Sequence, residues 1–417
     1  MSAALGAVLA LVGAPLFVVI SALALVQFYL ADVDLTVVFI EMYRIAQTPA
    51  LTAIPLFAFA GFLLAASGAP GRLVRVSQAA LGWLPGGLAI VALAVCALFT
   101  ALTGASGMTI VALGGLLYPA MRQERYSESF SLGLLTTSGS VGLLFPPSLP
   151  LIVYGIVAAT PVDQLFVAGI APGLLMVAAL SVYSYAHGRR SGSRSERIAR
   201  PRLAPALRQG AWELLLPVVI FAGIYGGLIA VSEAAALCAG YVVLVEMVIH
   251  REVRVTQLPG IIRDSMVLVG GVLVILAASM AYTSYLIDAQ VPARLLSHIE
   301  AHVTSRVLFL VLLNLFLLVV GCIMDMYSAL VVVVPLILPI ARAYGVHPVH
   351  LGIIFLTNLE IGYSTPPVGL NLFIASMRFD RSMLHLYRAS LPFLVILLVC
   401  LAAVTYLPDL SLFLIRR

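Results

Sequence analysis

The sequence predicts an all-α polytopic membrane protein made of two inverted repeats, each with a re-entrant helical hairpin and a broken helix. Three observations support this fold class. Hydrophobic residues make up 62% of the 417 residues, and charged residues only 10%. The arginines cluster in short loops between apolar stretches. A Pro-Pro pair occurs once in each half of the chain, inside an otherwise apolar stretch.

The composition excludes a soluble domain, in which about a quarter of the residues are charged. A spanning helix needs about 20 apolar residues, so the chain has room for about ten spans. All 23 basic residues are arginine, which excludes a P-loop ATPase and a lysine Schiff base. The cysteines stand alone in apolar stretches, and we expect buried side chains rather than a metal site at Cys96, Cys238, Cys322 and Cys400.

The arginine-rich stretch 188–209 sets the predicted orientation, because cytoplasmic loops carry an excess of basic residues. Arg72 and Arg75 then fall in a short cytoplasmic loop. All the basic loops stay inside only if segments 86–121 and 307–341 each enter and leave on one side; we call them the first and second hairpins. The other apolar segments cross once each: 5–30, 50–68, 129–158, 165–186, 212–231, 234–249, 265–287, 349–377 and 390–407.

A shift of 220 residues aligns the helix-breaking residues of the two halves, although the predicted path gives the halves opposite orientations. Proline removes a backbone donor and clashes with the preceding turn, so each pair should split its helix. Inverted repeats with interrupted helices are typical of secondary transporters, whose sites lie where the breaks meet. The shift matches Gly142 and Pro146-Pro147 with Gly362 and Pro366-Pro367.

Small polar residues precede both Pro-Pro pairs and line both predicted hairpin turns. Hydroxyl and carbonyl oxygens are the hard ligands that a desolvated sodium ion requires. Asp325 and Glu360 are the only acids predicted deep in the membrane, where an ionisable group is costly. We expect Asp325 to cap a helix, to bind an ion, or both. We expect Glu360 to be paired with a neighbouring group.

Two other kinds of site are less well supported. Gly104-Ala105-Ser106-Gly107 fits an intramembrane serine protease, but that mechanism needs a histidine beside Ser106. All seven histidines fall in loops or at helix ends. His298 and His302 have the spacing of a helical metal pair but no nearby third ligand, so an amphipathic interfacial helix explains them better.

Several runs between Ile54 and Ser376 resemble the large membrane subunit (the DctM- or SiaM-like M subunit) of tripartite ATP-independent periplasmic (TRAP) transporters. They are GASGMTIVALGGLLYPAMRQERYS, SGSVGLLFPPSLPLIVYGI, FVAGIAPGLLM, GCIMDMYSALVVVVPLILPIARAYGVHPVHLGII and IGYSTPPVGLNLFIAS. The resemblance implies an elevator-type ion transporter fold, in which a transport domain moves against a scaffold.

The resemblance also implies sodium sites between each hairpin turn and the unwound part of the neighbouring broken helix. The family often has a second serine where this chain has Ala105. The expected ligands of the first ion are Gly104, Ser106, Ser138 and Gly142, and those of the second are Asp325, Tyr327, Gly362 and Thr365. We expect helix ends and hydroxyls to bind the substrate, at Thr103, Ser140, Pro146, Pro147, Asn358, Pro366 and Pro367.

The implied domain division is scaffold helices in 1–85, the first transport repeat in 86–187, a cytoplasmic Arg-rich loop in 188–209, scaffold helices in 210–305 and the second transport repeat in 306–417. The implied partners are a small four-helix membrane subunit and a soluble periplasmic substrate-binding protein. We expect sodium-coupled import of an organic acid, such as a C4-dicarboxylate or sialic acid, across the bacterial inner membrane. We expect no catalysis, organic cofactor or nucleic acid. A stand-alone sodium/divalent-anion symporter is the alternative, and an intramembrane serine protease a remote one.

Overall fold

The computed structural model describes residues 6, 8–9, 12–84, 86–190 and 203–415, and every regular element in this part of the chain is helical. The α-helices are α1 (Leu16–Leu30), α2 (Thr36–Arg44), α3 (Ala53–Ala66), α4 (Ala69–Leu81), α5 (Gly87–Thr103), α6 (Ser106–Gln123), α7 (Glu128–Val141), α8 (Leu149–Val157), α9 (Val162–Arg190), α10 (Leu203–Gln209), α11 (Ala211–Tyr225), α12 (Val231–Val243), α13 (Leu258–Asp288), α14 (Val291–His302), α15 (Arg306–Ile323), α16 (Met326–Ala343), α17 (Pro348–Gly362), α18 (Leu370–Phe379), α19 (Met383–Tyr406) and α20 (Asp409–Leu412).

The helices have the lengths that a membrane protein requires. Within the described ranges, seven helical stretches are long and apolar enough to cross a membrane, and nine are if each of two bent pairs forms one span. The bent pairs are α7 with α8, at 47°, and α10 with α11, at 65°. The predicted all-α polytopic class is confirmed. A helix is present around His298 and His302, as predicted, and is α14; its place at the membrane interface stays a prediction.

Each predicted hairpin consists of two helices joined by two residues. Gly104 and Ala105 join α5 to α6, and Met324 and Asp325 join α15 to α16. Gly104 has φ +66°, a left-handed conformation that glycine adopts without steric cost. Asp325 caps α16, as predicted, by accepting a hydrogen bond from the Ser328 backbone N–H at 2.9 Å. We call residues 103–106 the first tip and residues 322–327 the second tip.

Both Pro-Pro pairs interrupt a helix, as predicted. In the first repeat α7 gives way to a 3₁₀ turn over Gly142–Leu144, and α8 begins at Leu149. In the second repeat α17 ends at Gly362 and α18 begins at Leu370. Both Pro-Pro peptide bonds are cis. We call residues 142–148 the first break and residues 363–369 the second break.

The two repeats touch where their broken helices cross. The Ser140 hydroxyl on α7 donates to the carbonyl oxygen of Glu360 on α17 at 3.3 Å, and the two residues are 220 apart in sequence. The interval is the same as that between the two Pro-Pro pairs, so equivalent positions of the two repeats contact each other. This contact is the one expected at the pseudo-twofold axis of an inverted repeat.

Two equivalent glycines allow each broken helix to approach the first helix of its hairpin. A Cβ atom on Gly142 would lie 2.2 Å from the carbonyl oxygen of Ala97 on α5. A Cβ atom on Gly362 would lie 2.6 Å from backbone atoms of Gly321 on α15. The Gly-x3-Pro-Pro pattern therefore combines two requirements, a close crossing and a helix break.

The helices pack in two groups. In one, α1, α2 and α3 pack on α13, and α12 packs on α3. In the other, α5, α6 and α19 pack on α7, α15 packs on α17, and α9 packs on α5 and α19. Helix α4 also packs on α5, so the two groups are in contact. The division into scaffold and transport regions, and which of them moves, stays a prediction. Of the predicted loop 188–209, residues 188–190 belong to α9 and 203–209 form α10, while residues 191–202 lie outside the described chain.

An ionic cluster corrects the expectation that Arg72 lies in a loop. Arg72 lies on the amphipathic helix α4, and its guanidinium group donates to three carboxylates. The partners are Glu213 on α11, Glu246 at 2.8 Å on the π-helical turn that continues α12 as Leu244–Ile249, and Glu252 at 2.5 Å.

Three of the four side chains of the cluster are buried inside the protein. The side chains of Arg72, Glu213 and Glu246 are 4%, 1% and 0% exposed. Partial burial raises the pKa of Glu252, but hydrogen bonds from Arg72 and the Gly68 N–H outweigh it, and the net pKa is below its ordinary value. Because buried charges must be paired, the cluster fixes α4 against α11 and α12.

Substitution of Arg72 by Ala should strongly destabilise the protein, because it leaves carboxylates buried without their cation. Loss of one partner from a buried ion pair costs about 3–5 kcal/mol. The melting temperature of the purified protein in detergent measures the effect. Arg75→Ala, at an exposed position one turn further along α4, is the control and should leave it nearly unchanged. Equal melting temperatures for both variants would contradict this account of the cluster.

Gly142→Ala and Gly362→Ala should each loosen a broken helix from its hairpin. The added methyl group would overlap backbone atoms, and overpacking of this kind costs about 1–3 kcal/mol. Gly240→Ala on α12 is the matched control, because a Cβ atom there meets no atom within 4 Å. Thermal melting separates the three variants, and a Gly362→Ala protein as stable as Gly240→Ala would refute the close crossing.

Candidate functional site

The two tips meet at one cavity of about 420 Å³. The Tyr327 hydroxyl of the second tip donates to the Gly104 carbonyl oxygen of the first tip at 3.1 Å. Ser106 and Asp325 also line the cavity, and Gly271 contributes the facing side from α13. The cavity therefore lies between the two hairpins and a helix of the predicted scaffold.

The second tip is tied to the second break by hydrogen bonds that backbone N–H groups donate. The Gly369 N–H donates to the Cys322 carbonyl oxygen at 3.2 Å. The Met326 N–H donates to the Tyr363 hydroxyl oxygen at 2.5 Å. Backbone groups freed by the break are thus satisfied inside the protein, as they must be at membrane depth.

The first tip is held to the first broken helix by hydroxyl groups. The Thr100 and Thr109 hydroxyls lie 2.6 Å apart across the hairpin, and Thr100 donates to the Gly139 carbonyl oxygen on α7 at 2.8 Å. On the other side of the break, a Cβ atom on Gly104 would lie 2.8 Å from Leu149. The tip therefore lies between the two halves of the broken helix.

Several buried polar side chains beside the tips and breaks form no hydrogen bond to an oxygen or nitrogen atom of the described residues. A buried polar group without a partner costs about 1–3 kcal/mol, so such a cluster indicates a place where a ligand or water completes the site. Their oxygens are hard ligands and fit a sodium ion. These residues are Thr103, Ser138 and Ser148 in the first repeat and Ser364 and Asn371 in the second.

Three residues of this set are absent from the candidates predicted from sequence. Ser148 directly follows Pro146-Pro147 and precedes the first residue of α8. Ser364 lies inside the second break, and Asn371 is the second residue of α18. Proximity of a polar residue to a helix break was the available signal, and it applies to all three.

The predicted sodium ligands are distributed as follows. Gly104, Ser106, Asp325 and Tyr327 all line the cavity between the tips. The Thr365 hydroxyl donates to the Ile361 carbonyl oxygen at 2.8 Å, which leaves its oxygen lone pairs available.

The other predicted ligands do not line this cavity. Gly142 and Gly362 lie next to the breaks, where each broken helix contacts the backbone of its hairpin. Ser138 is fully buried and lies beside Cys96 of α5. No described contact joins it to Ser106.

The predicted substrate residues fall in different surroundings. The Ser140 hydroxyl donates to the Glu360 carbonyl oxygen where the two broken helices cross. Asn358 donates to the Asn314 side chain at 2.7 Å and to the Ile354 carbonyl oxygen, in a helix-packing network. Neither lines the cavity between the tips. Thr103 is fully buried at the first tip.

The two breaks differ in exposure. Pro146 and Pro147 are buried, whereas Pro366 and Pro367 are exposed, as is Ile323 beside the second tip. The prolines of the second break thus lie at the surface of this chain, whereas those of the first break are enclosed.

The expectation that Glu360 is paired with a neighbour is wrong for the described chain. Its side chain is buried, and neither carboxyl oxygen accepts a well-formed hydrogen bond there. The backbone N–H of Leu144, in the first break, approaches the carboxyl group without completing one. The group thus extends from the second broken helix toward the first.

Comparison with known proteins agrees with this architecture. The family described as "Tripartite ATP-independent periplasmic transporter, DctM component" matches residues 3–410. The C4-dicarboxylate TRAP transporter large permease protein DctM of Pseudomonas aeruginosa is 36% identical over 374 residues, which are 89% of this chain and 88% of that protein. The ectoine/5-hydroxyectoine TRAP transporter large permease protein UehC of Ruegeria pomeroyi is 33% identical over 98% of this chain and 96% of its own length.

A crystal structure shows a similar fold at low sequence identity. The Alcanivorax borkumensis YdaH transporter, described as having an unusual topology, superposes with a TM-score of 0.55 and 14% identity, covering 89% of this chain and 86% of that one. Together with the spans and the paired helix breaks, the family match identifies the chain. It belongs to the DctM family, the large permease subunits of TRAP transporters, and is a multi-pass protein of the inner membrane.

Proposed function

We propose that this permease subunit imports an organic acid with a sodium gradient, receiving the substrate from a periplasmic binding protein and working with a small four-helix membrane subunit. The meeting of both hairpin tips at one cavity supports this most directly. A site made of two tips and two helix breaks is typical of secondary transporters. Movement of the two hairpins and broken helices against the scaffold would carry the site across the membrane.

The second ion site would use a carboxylate. Asp325 and Tyr327 line the cavity, and Gly362 and Thr365, at the second break, would supply further oxygens. The carboxylate has no arginine partner in the described chain. A cation would therefore meet a negative charge that only helix N–H groups and the Ser328 hydroxyl offset.

The first ion site would use carbonyl and hydroxyl oxygens alone, from Gly104, Ser106, Ser138 and Gly142. Ala105 provides no hydroxyl at the position where the family often has serine. The hydroxyls of Thr103 and Ser148 could replace the missing serine hydroxyl as ligands. Both are fully buried at or near the first tip and have no hydrogen-bond partner in the described chain. Ser138 would have to turn from Cys96 to take part.

The substrate is a small carboxylate in this proposal, a C4-dicarboxylate, sialic acid or a similar compound. Similar proteins carry names with different substrates, a C4-dicarboxylate in one case and ectoine in another. The half-helices α8 and α18 direct their N-terminal N–H groups toward the breaks, and helix N-termini favour anions. Selectivity among carboxylates would then rest largely with the binding protein.

Reconstituted uptake tests the whole proposal. Proteoliposomes containing this chain should take up a labelled organic acid only when the small subunit, the binding protein and an inward sodium gradient are all present. Omission of each component in turn is the control, and a panel of C4-dicarboxylates, sialic acid and ectoine identifies the substrate by competition. Sodium-driven uptake by this chain alone would instead indicate a stand-alone sodium/divalent-anion symporter.

Asp325→Asn should raise the sodium concentration for half-maximal uptake by about 10- to 100-fold, since a contact with a charged group contributes about 1.5–3 kcal/mol. Asparagine remains a good helix cap, so the second hairpin should stay folded. Asp288→Asn, at the exposed end of α13, is the control for loss of one negative charge. An unchanged sodium dependence in folded Asp325→Asn protein would exclude Asp325 as a ligand.

A further inference from the structure

A second cavity, of about 780 Å³, lies between the predicted scaffold and transport regions, and we call it the outer cavity. One wall is formed by Arg44, by residues 48–50 and by the C-terminal half of α13. The other wall is formed by residues within 155–162 and by α16. Because the crossing 165–186 leads inward to the arginine-rich stretch, residues 159–161 before it lie on the outer side of the membrane.

The outer cavity is deep and largely apolar. Along α13 its lining extends from Ile287, close to the end of the helix, to Leu276. At 1.5 Å per residue this stretch is about 16 Å long, which is about half of a 30 Å hydrocarbon core and so the depth of one leaflet. Met280 and Val331 continue the apolar lining, and the Ser279 hydroxyl is used internally, since it donates to the Val331 carbonyl oxygen at 2.7 Å. The cavity therefore has the length and the chemistry of an acyl-chain site.

Charged groups lie at the outer end of this cavity. Arg44, in the last turn of α2, lines the cavity, and 67% of its side chain is exposed. Its Nη1 atom lies 3.3 Å from the carboxylate of Glu41. The Nε and Nη2 groups have no hydrogen-bond partner in the described chain, and they form the fork of a guanidinium that can bind a phosphate group through two parallel hydrogen bonds. The rim of the cavity thus carries both a positive and a negative group.

The helix that carries this ion pair also has an apolar face. Phe39, Ile40 and Tyr43 of α2 are all exposed. Aromatic side chains with a polar tip, such as tyrosine, are enriched at the level of the lipid headgroups. The exposed face of α2 is therefore typical of contact with the bilayer at the depth where Arg44 stands.

We propose that the outer cavity binds one phospholipid of the outer leaflet. An acyl chain lies between α13 and α16, the phosphate accepts from Arg44, and an ammonium group of the headgroup contacts Glu41. The carboxylate repels a headgroup that carries only negative charge, so the pair favours a zwitterionic headgroup. Phosphatidylethanolamine has the charges that this rim complements, and phosphatidylglycerol lacks the ammonium group.

The position of this lipid has a consequence for movement. The outer cavity has one wall from each of the two predicted regions, so a lipid within it contacts both. If the transport region moves against the scaffold, the walls shift and the lipid must leave or adjust. This consequence rests on the proposed function, whereas binding of the lipid does not and can be measured without any transport.

Native mass spectrometry of the purified chain, titrated with phosphatidylethanolamine or phosphatidylglycerol of identical acyl chains, tests the headgroup contacts. Wild-type protein should bind one phosphatidylethanolamine about tenfold more tightly than phosphatidylglycerol, because each charged contact adds to the affinity. Arg44→Gln should weaken binding of both lipids about tenfold, and Glu41→Gln should abolish the preference between them. Arg294→Gln, at an exposed position on α14 outside the cavity lining, is the control and should bind both lipids as wild-type protein does.

A substitution inside the cavity tests the acyl-chain contact. Thr283→Phe fills the cavity beside α13 and leaves the charged rim unchanged, so it should abolish tight binding of both lipids. Thr283→Val, which preserves the volume of the side chain, should retain it. Equal binding by wild-type protein, Arg44→Gln and Thr283→Phe would show lipid bound elsewhere on the surface and would overturn the proposal. Displacement of the lipid by the small membrane subunit would overturn it as well, because the cavity would then belong to a subunit interface.

Discussion

Every backbone group that the two helix breaks release must find a partner inside the protein, because lipid offers none. At the second break, the Gly369 N–H donates to the Cys322 carbonyl oxygen of the second tip. The first break meets it partly through a 3₁₀ turn. The second hairpin therefore supports the break of its own repeat, whereas the first break is supported in part by its own turn.

The same requirement explains why glycines stand at the crossings. Only a residue without a side chain lets a broken helix approach within contact of the backbone of its hairpin, as at Gly142 and Gly362. The arrangement places carbonyl oxygens and small hydroxyls together at the centre of the protein. Oxygen-rich, weakly charged surroundings of this kind suit an alkali cation, which agrees with the proposed coupling.

The architecture could be predicted from the sequence because its signals are local. Pro-Pro pairs, Gly-x3-Pro-Pro spacing and arginine-rich loops each act on nearby backbone, and the hairpins and breaks appear where these signals place them. Arg72 could not be placed in this way. The sequence around it predicts an exposed charge on an amphipathic helix, because its three carboxylate partners are more than 140 positions away in sequence. Four other buried side chains lack a hydrogen-bond partner in the described chain, namely Glu360, Ser148, Ser364 and Asn371. This could not be predicted either, because whether a side chain finds a partner depends on tertiary packing and not on the local sequence.

The hydrogen bond from Tyr327 to the Gly104 carbonyl oxygen joins groups that are each expected to contact a different ion. An ion that draws on the Gly104 carbonyl would alter the position of Tyr327, and occupation of the second site would in turn orient Gly104. Such coupling is reciprocal by thermodynamic necessity. Occupation of either ion site would then change the affinity of the other by the same factor.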